Sequence, residues 1–599
     1  MSQIHLYFLD IDVTADSDGW LNYEPFIWMT SATGEYGYAS GWDTSGVKMP
    51  TDIPVDNVEV DGEDYVSTTS LTTLAANEKY YLWDDEDKRL YVHFDDHKNP
   101  WSFDVIKISQ PLSIMRSPLS SKEFDGYVDG KVYDPRLSEV PSITNRLDNI
   151  YDGQQSYYST SVSWDNADGK FNLWAIQSEI YGNYATLGYW GGDDIDDFDS
   201  ADIKIQWAGR IQNSSTGRQI TVQLIDARKQ FDAPSPQNYV TWTNTGTSGE
   251  PVIVPEVWGN ECIIPCQCLT PEVPNGANFE FMVGLNSITL SAWSLISQAP
   301  TTVYVNGGEV AFANATTTIS SIGVRYITIA STVFGTTSYT NLENVTAAIE
   351  GFEIGGSYRV KKATEIITYK IEQLYGEPFT ATYFDTTNFY TSGLRAAGVS
   401  YYLNTEKPFS TIIQELCRAD LARFEIGLDG KYRYFIYDTN TVAVKTIYKE
   451  ELLPENYMPT IFRDPKRAIS QFVVGRNRNW SIAADEANAY VYDKYDDNYL
   501  DVSRKTGVQK LELFPTPING TSSDTEKFAE KINDVFGKVY TTFPIVVKQQ
   551  VAYDVFPGDF INVEMDFIDA AYLGTIRCEV LGKIIQTSDN TCTLELRKT

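Results

Sequence analysis

The chain is expected to be mainly β with a few helices, an α+β protein of several domains, and three observations carry that expectation. Thirty-nine Tyr with repeated Thr, Val and Ile suit a pleated, half-buried surface. Forty Gly and 25 Pro are scattered singly, as turn punctuation, and form no tracts. From about Pro459 to the end, long alternating runs flank one amphipathic segment, which is the pattern of a sheet with a helix laid across it. At 599 residues the chain exceeds what one core supports, so three to five domains of roughly 100–200 residues are expected.

Taken in order, the first stretch is β-rich, with turns at Asp18-Gly19 and Asp61-Gly62. Its clearest unit is a hairpin: Tyr80-Tyr81-Leu82-Trp83, a polar connection Asp84–Lys88, then Leu90-Tyr91-Val92-His93-Phe94. A β-module over 118–250 follows. Ser161–Trp164 runs into the turn Asn166–Gly169 and exits through Phe171; Ile203, Ile205, Trp207 and Ile211 approach the turn Ser214–Gly217, and Ile220, Val222 and Leu224 return. Period-two alternation on both arms fixes the register. Residues 251–337 read as a smaller inserted β domain, with Val303-Tyr304-Val305 ahead of Asn306-Gly307-Gly308.

Helices begin in an α+β intermediate domain over 338–458. Ala363–Tyr375 carries a stripe of Ile366, Ile367, Ile371 and Leu374 ended by Gly376. Phe409–Ala422 has Thr411 and Gln414 at capping-box spacing and leads into a hairpin turned at Asp429-Gly430. The final domain, 459–599, places Phe472 and Val474 on one face, then Ala489, Val491, Asp493, Tyr499 and Val502. A helix Ser523–Phe536 follows, with Ser523 and Glu526 as its box and Gly537 as its stop. Strands are expected at 542–553, 560–566, 575–586 and 592–597. The N-terminal β domain is placed at 1–117.

Composition narrows the function classes. The formal charge of −34 gives no basic footprint for nucleic-acid phosphates, although an acidic wall could line a channel that DNA passes without sticking. No segment approaches the ~20 apolar residues that span a bilayer. The start, MSQIHLYFLDIDV, lacks a basic n-region, so no secretory signal is expected. Six Cys do not make a disulfide scaffold, which fits synthesis in a reducing cytoplasm.

Candidate site residues are few. The three His are His5, His93 and His97, so no Ser-His-Asp or Cys-His site can be built within the later modules. His93, Asp95 and His97 share a face only if their strand continues past Asp96; a solvated hairpin end is the simpler reading. Cys262, Cys266 and Cys268 form C-x3-C-x-C without a nearby fourth ligand and read as buried thiols. Cys592 is expected opposite Ile585 or Gln586, so it should not meet Cys578. The run Gly191–Asp199 and the set Asp10, Asp12, Asp16 and Asp18 offer clustered oxygens without the spacing of a calcium loop. No P-loop, dinucleotide glycine pattern or G-x-S-x-G is present. Catalytic, cofactor and metal sites are each expected to be none.

In the order of its units the chain resembles the tail-tip or baseplate hub proteins of tailed bacteriophages, within the hub family of contractile-injection machines. Four stretches carry the likeness. Val140–Ile143 through Ser163–Phe171 looks like the opening of a first tube-like domain, and Trp207–Ile211 with Thr221–Asp226 looks like its closing pair. Lys407–Tyr437 resembles the intermediate domain. The helix Ser523–Phe536 with Val555–Val563 resembles a second tube-like domain with its P-G-D turn. Pro251–Gly259, with Val303–Gly307, also looks like inserts of phage tail proteins. The likeness covers 115–599, and the first ~115 residues match loosely. It implies two tube-like β-barrel or sandwich domains and a homotrimer whose ring is pseudo-hexameric. It also implies tail-tube or distal-tail, tape-measure and fibre or spike partners, and a place at the virion tail tip with DNA passing the lumen. No lysozyme or peptidase module is appended, so no enzyme is implied. The alternative is a carbohydrate-binding tail protein meeting the host surface through exposed Trp or Tyr; a polysaccharide-degrading enzyme is disfavoured by the missing parallel-repeat period.

Overall fold

The computed structural model describes residues 4–11, 20–23, 46–50, 57–60, 63–69, 80–84, 89–93, 106–109, 119–121, 126–128, 131–140, 142–149, 154–155, 159–167, 184–192, 202–215, 217–226, 231–235, 239–240, 252–259, 261–270, 277–290, 294–297, 299–311, 315–320, 323–335, 344–354, 358–389, 398–427, 429–437, 441–453, 459–464, 468–486, 488–495, 511–537, 540–566 and 573–599. These are mostly strand with few helices, as expected of a mainly β, α+β chain. The chain divides into two compact units. The first holds Met1–Ile143, Tyr158–Ala227 and Thr587–Asn590; the second holds Thr144–Tyr157, Arg228–Gln586 and Thr591–Thr599. Among the described residues no helix is long and apolar enough to cross a membrane.

The first unit contains one large sheet built from β1 (Ile4–Ile11), β2 (Leu119–Ser121), β3 (Lys131–Glu139), β4 (Ser159–Asp165), β5 (Tyr184–Gly192), β6 (Lys204–Ser215) and β7 (Gln219–Asp226). The order is β2-β1-β5-β6-β7-β4-β3, and β2 also pairs β3. Buried Val162, Trp164, Leu187, Trp207, Ile220, Val222 and Leu224 line its inner face. The expected hairpin pairs Tyr80–Asp84 with Arg89–His93, Tyr80 opposite His93. The arms on either side of Ser214–Gly217 pair as β6 and β7. Phe171 lies outside the described residues.

The second unit opens with an inserted sandwich. One sheet joins Cys262–Pro265, Val345–Ile349, Pro300–Val305 and Gly308–Glu309; the other joins Gln267–Cys268, Asn278–Leu285, Val324–Ala330 and Ala315–Ile319. Cys262, Ile264, Phe279, Phe281, Ile327 and Ile349 share its core. The predicted Asn306-Gly307 turn is a two-residue hairpin between Val305 and Gly308, with φ of 53° and 79° at its two residues, as a type I′ turn requires.

Helix α1 (Ala363–Tyr375) has the expected bounds, and Gly376 caps it in the left-handed region at φ 70°. Helix α2 (Phe409–Asp420) departs from expectation at its start. Thr411 is inside the first turn, and no side chain caps the end. Lys407-Pro408 instead pairs with Pro234-Ser235, and the Phe409 N–H donates to Ala233 O at 3.0 Å. A ladder has taken the place of the box. The hairpin β8 (Ala422–Ile426) and β9 (Tyr432–Ile436) forms as predicted, but its turn is longer than Asp429-Gly430. The Gly427 N–H donates to Lys431 O at 2.8 Å, and Gly430 sits at φ 76°. The chain continues through β10 (Lys445–Ile447), β11 (Phe462–Asp464), β12 (Gln471–Arg476), β13 (Val491–Tyr495) and β14 (Leu511–Pro515). Tyr499 and Val502 lie outside the described residues.

Helix α3 (Ser522–Phe536) starts one residue early. Its box is Thr521 with Asp524, in place of Ser523 with Glu526: the Thr521 N–H donates to Asp524 Oδ2 at 2.8 Å. The shorter Asp reaches back as Glu would. Gly537 ends the helix at φ −74°, without the left-handed cap. Phe528, Ala529 and Ile532 bury against Phe472, Val474 and Phe514 of the β13-β12-β14 sheet.

The last strands are β15 (Tyr540–Lys548), β16 (Phe560–Asp566), β17 (Leu573–Gln586) and β18 (Thr591–Lys598), ordered β11-β15-β18-β17-β16-β10, and β17 also pairs Ile143–Asn149, which carries Gln154–Gln155. Cys592 stands opposite Ile585 and Cys578 opposite Lys598, as predicted. Neither large sheet makes the expected continuous closed barrel. In the first unit the circuit returns only through three-residue β2. In the second, one bridge, Leu452 to Val547, stands where a ladder would close it.

Candidate functional site

The two large sheets contain the same four-strand ladder. In each, the strands taken in chain order pair first with fourth, fourth with third and third with second, all antiparallel: β4-β7-β6-β5 and β15-β18-β17-β16. The registers correspond along the first, fourth and third strands. Ser159 opposite Ile225 and Asp165 opposite Gln219 match Thr542 opposite Arg597 and Lys548 opposite Thr591. Against the fourth strand the third carries a bulge at the same place, at Gln212 after the Ile211–Leu224 rung and at Leu581 after the Val580–Leu596 rung; the first ladder has a further irregularity at Gln206, against its second strand, that the other ladder lacks. Tyr184 opposite Arg210 matches Phe560 opposite Glu579. Burial alternates alike along β7 and β18, differing only at the first residue. Shared order alone has several origins; a shared bulge on the same rung marks one repeated building block.

A charged network fixes the intermediate hairpin to the second ladder. It starts at Pro557-Gly558-Asp559. Gly558, at φ 90°, sits where a Cβ would fall 1.2 Å from Arg423 Nη1, so only glycine admits the guanidinium. Its N–H donates to Val580 O at 2.6 Å, and the Asp559 carboxylate accepts from the Phe556 N–H at 2.8 Å. Arg423 of β8 lies over the Phe435 ring at 4.6 Å and pairs with Glu425 at 3.4 Å and Asp559 at 3.8 Å. One rung on, Glu579 and Arg597 face each other across β17 and β18 as a buried ion pair, and Arg597 also donates to the Tyr437 hydroxyl. The bulge residue Leu581 is buried in the apolar cluster that also holds Phe424, Tyr434 and Phe536. A bulge re-aims one side chain without losing the ladder, and here it aims an apolar one at a neighbour.

Burial dominates the electrostatics. It raises the Glu579 and Asp559 carboxyls above their ordinary range, against the pull of Arg597 and Arg423. Lys583, 3% exposed, donates to Tyr553 O at 3.0 Å, and burial lowers its ammonium to about 8. The acids and bases of this site serve one another, and their arrangement is structural.

The residues singled out in the sequence are not brought together. Cys262 and Cys266 are buried in the sandwich core, where burial pushes both thiols up to about 12; Cys268, half-buried, rises to about 11. His5 and Asp10 lie on β1 and His93 on its hairpin strand. Asp12, Asp16, Asp18, Asp95, His97 and Asp193–Asp199 lie outside the described residues. Among the described residues, no group of three or more His, Cys, Asp or Glu is placed to hold a metal ion. Sequence reading missed Arg423, Tyr437, Glu579, Lys583 and Arg597. The one available signal was Lys583, a charge at a strand position whose alternation with Ile585 points inward.

No family profile matches the sequence, and no curated protein matches it. Among solved structures it is similar to a tail protein of Neisseria meningitidis MC58, at 9% identity and TM-score 0.32, over 77% of this chain and 97% of that one. It is similar to a chain of a native gene transfer agent virion at 10% and 0.36, over 60% and 88%. It is also similar to the 43 kDa tail protein of prophage MuSo2 from Shewanella oneidensis at 9% and 0.32, over 79% and 97%. At such identities and TM-scores, function is read from the chain's own geometry.

Proposed function

We propose that this chain is a structural hub of a phage-like tail tip or baseplate: a homotrimer whose six ladders form a pseudo-hexameric ring between the tail tube and the distal fibres or spike. The duplicated ladder carries this reading. A rigid motif present twice per chain lets three chains offer six near-equivalent elements, matching a sixfold tube on one side and threefold parts on the other. The second sheet ends on the short strands β11 and β10, and a ring gives such edges partners. The charge of −34 suits a wall along which DNA slides during ejection. The network at Arg423 and Glu579 sets the intermediate domain rigidly on the second ladder, as a load-transmitting part needs. On this reading the 118–250 and 459–599 segments are the tube-like domains, the virion tail is the destination, and no catalysis is assigned.

The test is native mass spectrometry with electron-microscopic class averages of the purified chain. Three copies of the 67.4 kDa chain in a threefold ring with sixfold modulation are expected. A monomer at all concentrations, or a ring without the sixfold component, overturns the assignment.

A further inference from the structure

In the second unit, large apolar side chains more than half exposed cluster in two places, with Phe462 of β11 standing apart, and we infer that the two clusters are the halves of one head-to-tail contact between copies of this chain. One half is the open face of the β13-β12-β14 sheet. Phe472, Val474 and Phe514 point to α3, so alternation puts Leu511 and Leu513 on the opposite face, 58% and 51% exposed. Val473 stands beside Leu513 across the ladder, with exposed Lys494 on its other side. Arg478, stacked 3.8 Å over Trp480 and 5.7 Å from Tyr490, borders the patch. Tyr490 itself lies against Gly475 of the same sheet. The centre is apolar and its rim cationic.

The other half is the approach to β10. Val442 and Val444, 82% and 56% exposed, occupy alternate positions of an extended segment pinned by the Val444 N–H to Phe560 O at 2.8 Å. Tyr448, 54% exposed, follows, and Glu450 is exposed beside it. Lys445 is held by Asp554 at 2.9 Å and Glu451 accepts from the Tyr448 N–H at 2.8 Å, so this half is apolar, flanked by exposed Glu450 next to Lys449. Exposed patches of this kind mark interfaces. The charges select the pairing: a chain of −34 repels its copies generally, so the patch rimmed by Arg478 and Lys494 recognises the strip flanked by Glu450, whereas that patch facing itself opposes its own cations. Two different patches on one chain make a heterologous contact, which closes a ring when the rotation permits. The ring's count of three rests on the reading above; the contact itself does not.

Two double variants test this, Leu511→Glu with Leu513→Glu and Val442→Glu with Val444→Glu, each checked by circular dichroism and measured by native mass spectrometry. Each variant alone should lose at least about tenfold in association per buried side chain and run as monomer. An equimolar mixture of the two should give a heterodimer, because one intact face then meets one intact strip. Either variant assembling as the wild type does, or a mixture that stays monomeric, overturns the inference. A wild-type ring of another count that still needs both patches refutes the trimer and keeps the contact; a wild-type monomer refutes both. Where a variant fails to fold, hydrogen exchange of the wild type decides: slowing at both 441–448 and 511–515 on concentration is expected, and slowing at neither or at one alone refutes the contact.

Discussion

Replacing Gly558 by Ala should cost about 3 kcal/mol locally, through two separable effects. The first is backbone: at φ 90° a Cβ meets its own carbonyl region, at ~1–2 kcal/mol. The second is displacement of Arg423, since the new methyl would lie 1.2 Å from Nη1. Arg423 is a flexible side chain and can swing aside. Doing so abandons Phe435, Glu425 and Asp559 and strips one cation from buried Glu579, and removing one partner of a buried pair typically costs ~3–5 kcal/mol. Arg423 is one of two cations there, so roughly half of that is expected. Native-state hydrogen exchange of segments 556–560 and 577–581 reads the local free energy, and about 3 kcal/mol is roughly two decades of protection at ~1.4 kcal/mol per decade. The decisive comparison is with Arg423→Met. In that background Gly558→Ala should lose only the backbone part, leaving a coupling of at least ~1 kcal/mol. Strictly additive losses would falsify the claim that this glycine exists to admit the guanidinium.

Lys583→Met should stabilise the second unit at neutral pH. The folded ammonium, about 8 against an ordinary 10.5, binds fewer protons than the unfolded one, so its burial costs stability below pH 8, and that cost fades as pH rises towards 10.5. The gain should reach ~1–3 kcal/mol at pH 6–7, less the hydrogen bond lost at Tyr553, and vanish near pH 10.5; chemical denaturation across pH checks it. The Glu579 carboxyl is raised, so its burial opposes folding increasingly as pH rises through the interval above 4.5, and exchange protection at 577–581 should respond in that sense. Leu581→Gln, restoring the first ladder's residue at its own bulge, should cost ~2–4 kcal/mol by withdrawing an apolar side chain from the cluster that also holds Phe424, Tyr434 and Phe536. Thiol reagents should modify native Cys268 first and leave Cys262, Cys266, Cys417, Cys578 and Cys592 unlabelled until unfolding, read by mass spectrometry.

What was legible in the sequence was what local physics decides. Alternation located the β6–β7 and β17–β18 hairpins, and it placed Cys592 opposite Ile585 by counting back from the turn. Gly376 and the Asn306-Gly307 turn followed from the left-handed conformations they adopt. Helix starts were less legible, because Thr411 with Gln414 and Ser523 with Glu526 satisfy the spacing of a box yet lost to competitors. Pro408 is tied into a strand pair with Pro234, and Thr521 with Asp524 offers the same reciprocal bonds two residues earlier. The charged network was not legible. Arg423 is over 150 residues of chain from Glu579 and Arg597, and nothing in that spacing says that a hairpin will land on a sheet rung.

The comparison of the two ladders explains why one repeated block takes two roles. Register, bulge and inward alternation are tied to one another: moving the bulge by a residue would turn every later side chain of that strand to the wrong face, so these features persist while surface identities drift. The drift is concentrated on the outward rung beside the bulge. There the first ladder has Arg210, Ile225 and Gln212, with Arg210 and Gln212 exposed, and the second has Glu579, Arg597 and Leu581, all buried. Glu579 and Leu581 are each incompatible with solvent-facing economy. A Glu opposite an Arg is worth little on a surface, and an exposed Leu invites association. Together they make sense only under the β8–β9 hairpin that covers them, with Arg423 and Tyr437 completing the charge and hydroxyl partners. The first ladder has exposed Arg210 and Gln212 at the corresponding positions beside Ile225. One rung and the bulge beside it therefore suit the second ladder to the hairpin that covers it, and exchanging these residues between ladders should transfer the penalty of solvent exposure without transferring the attachment.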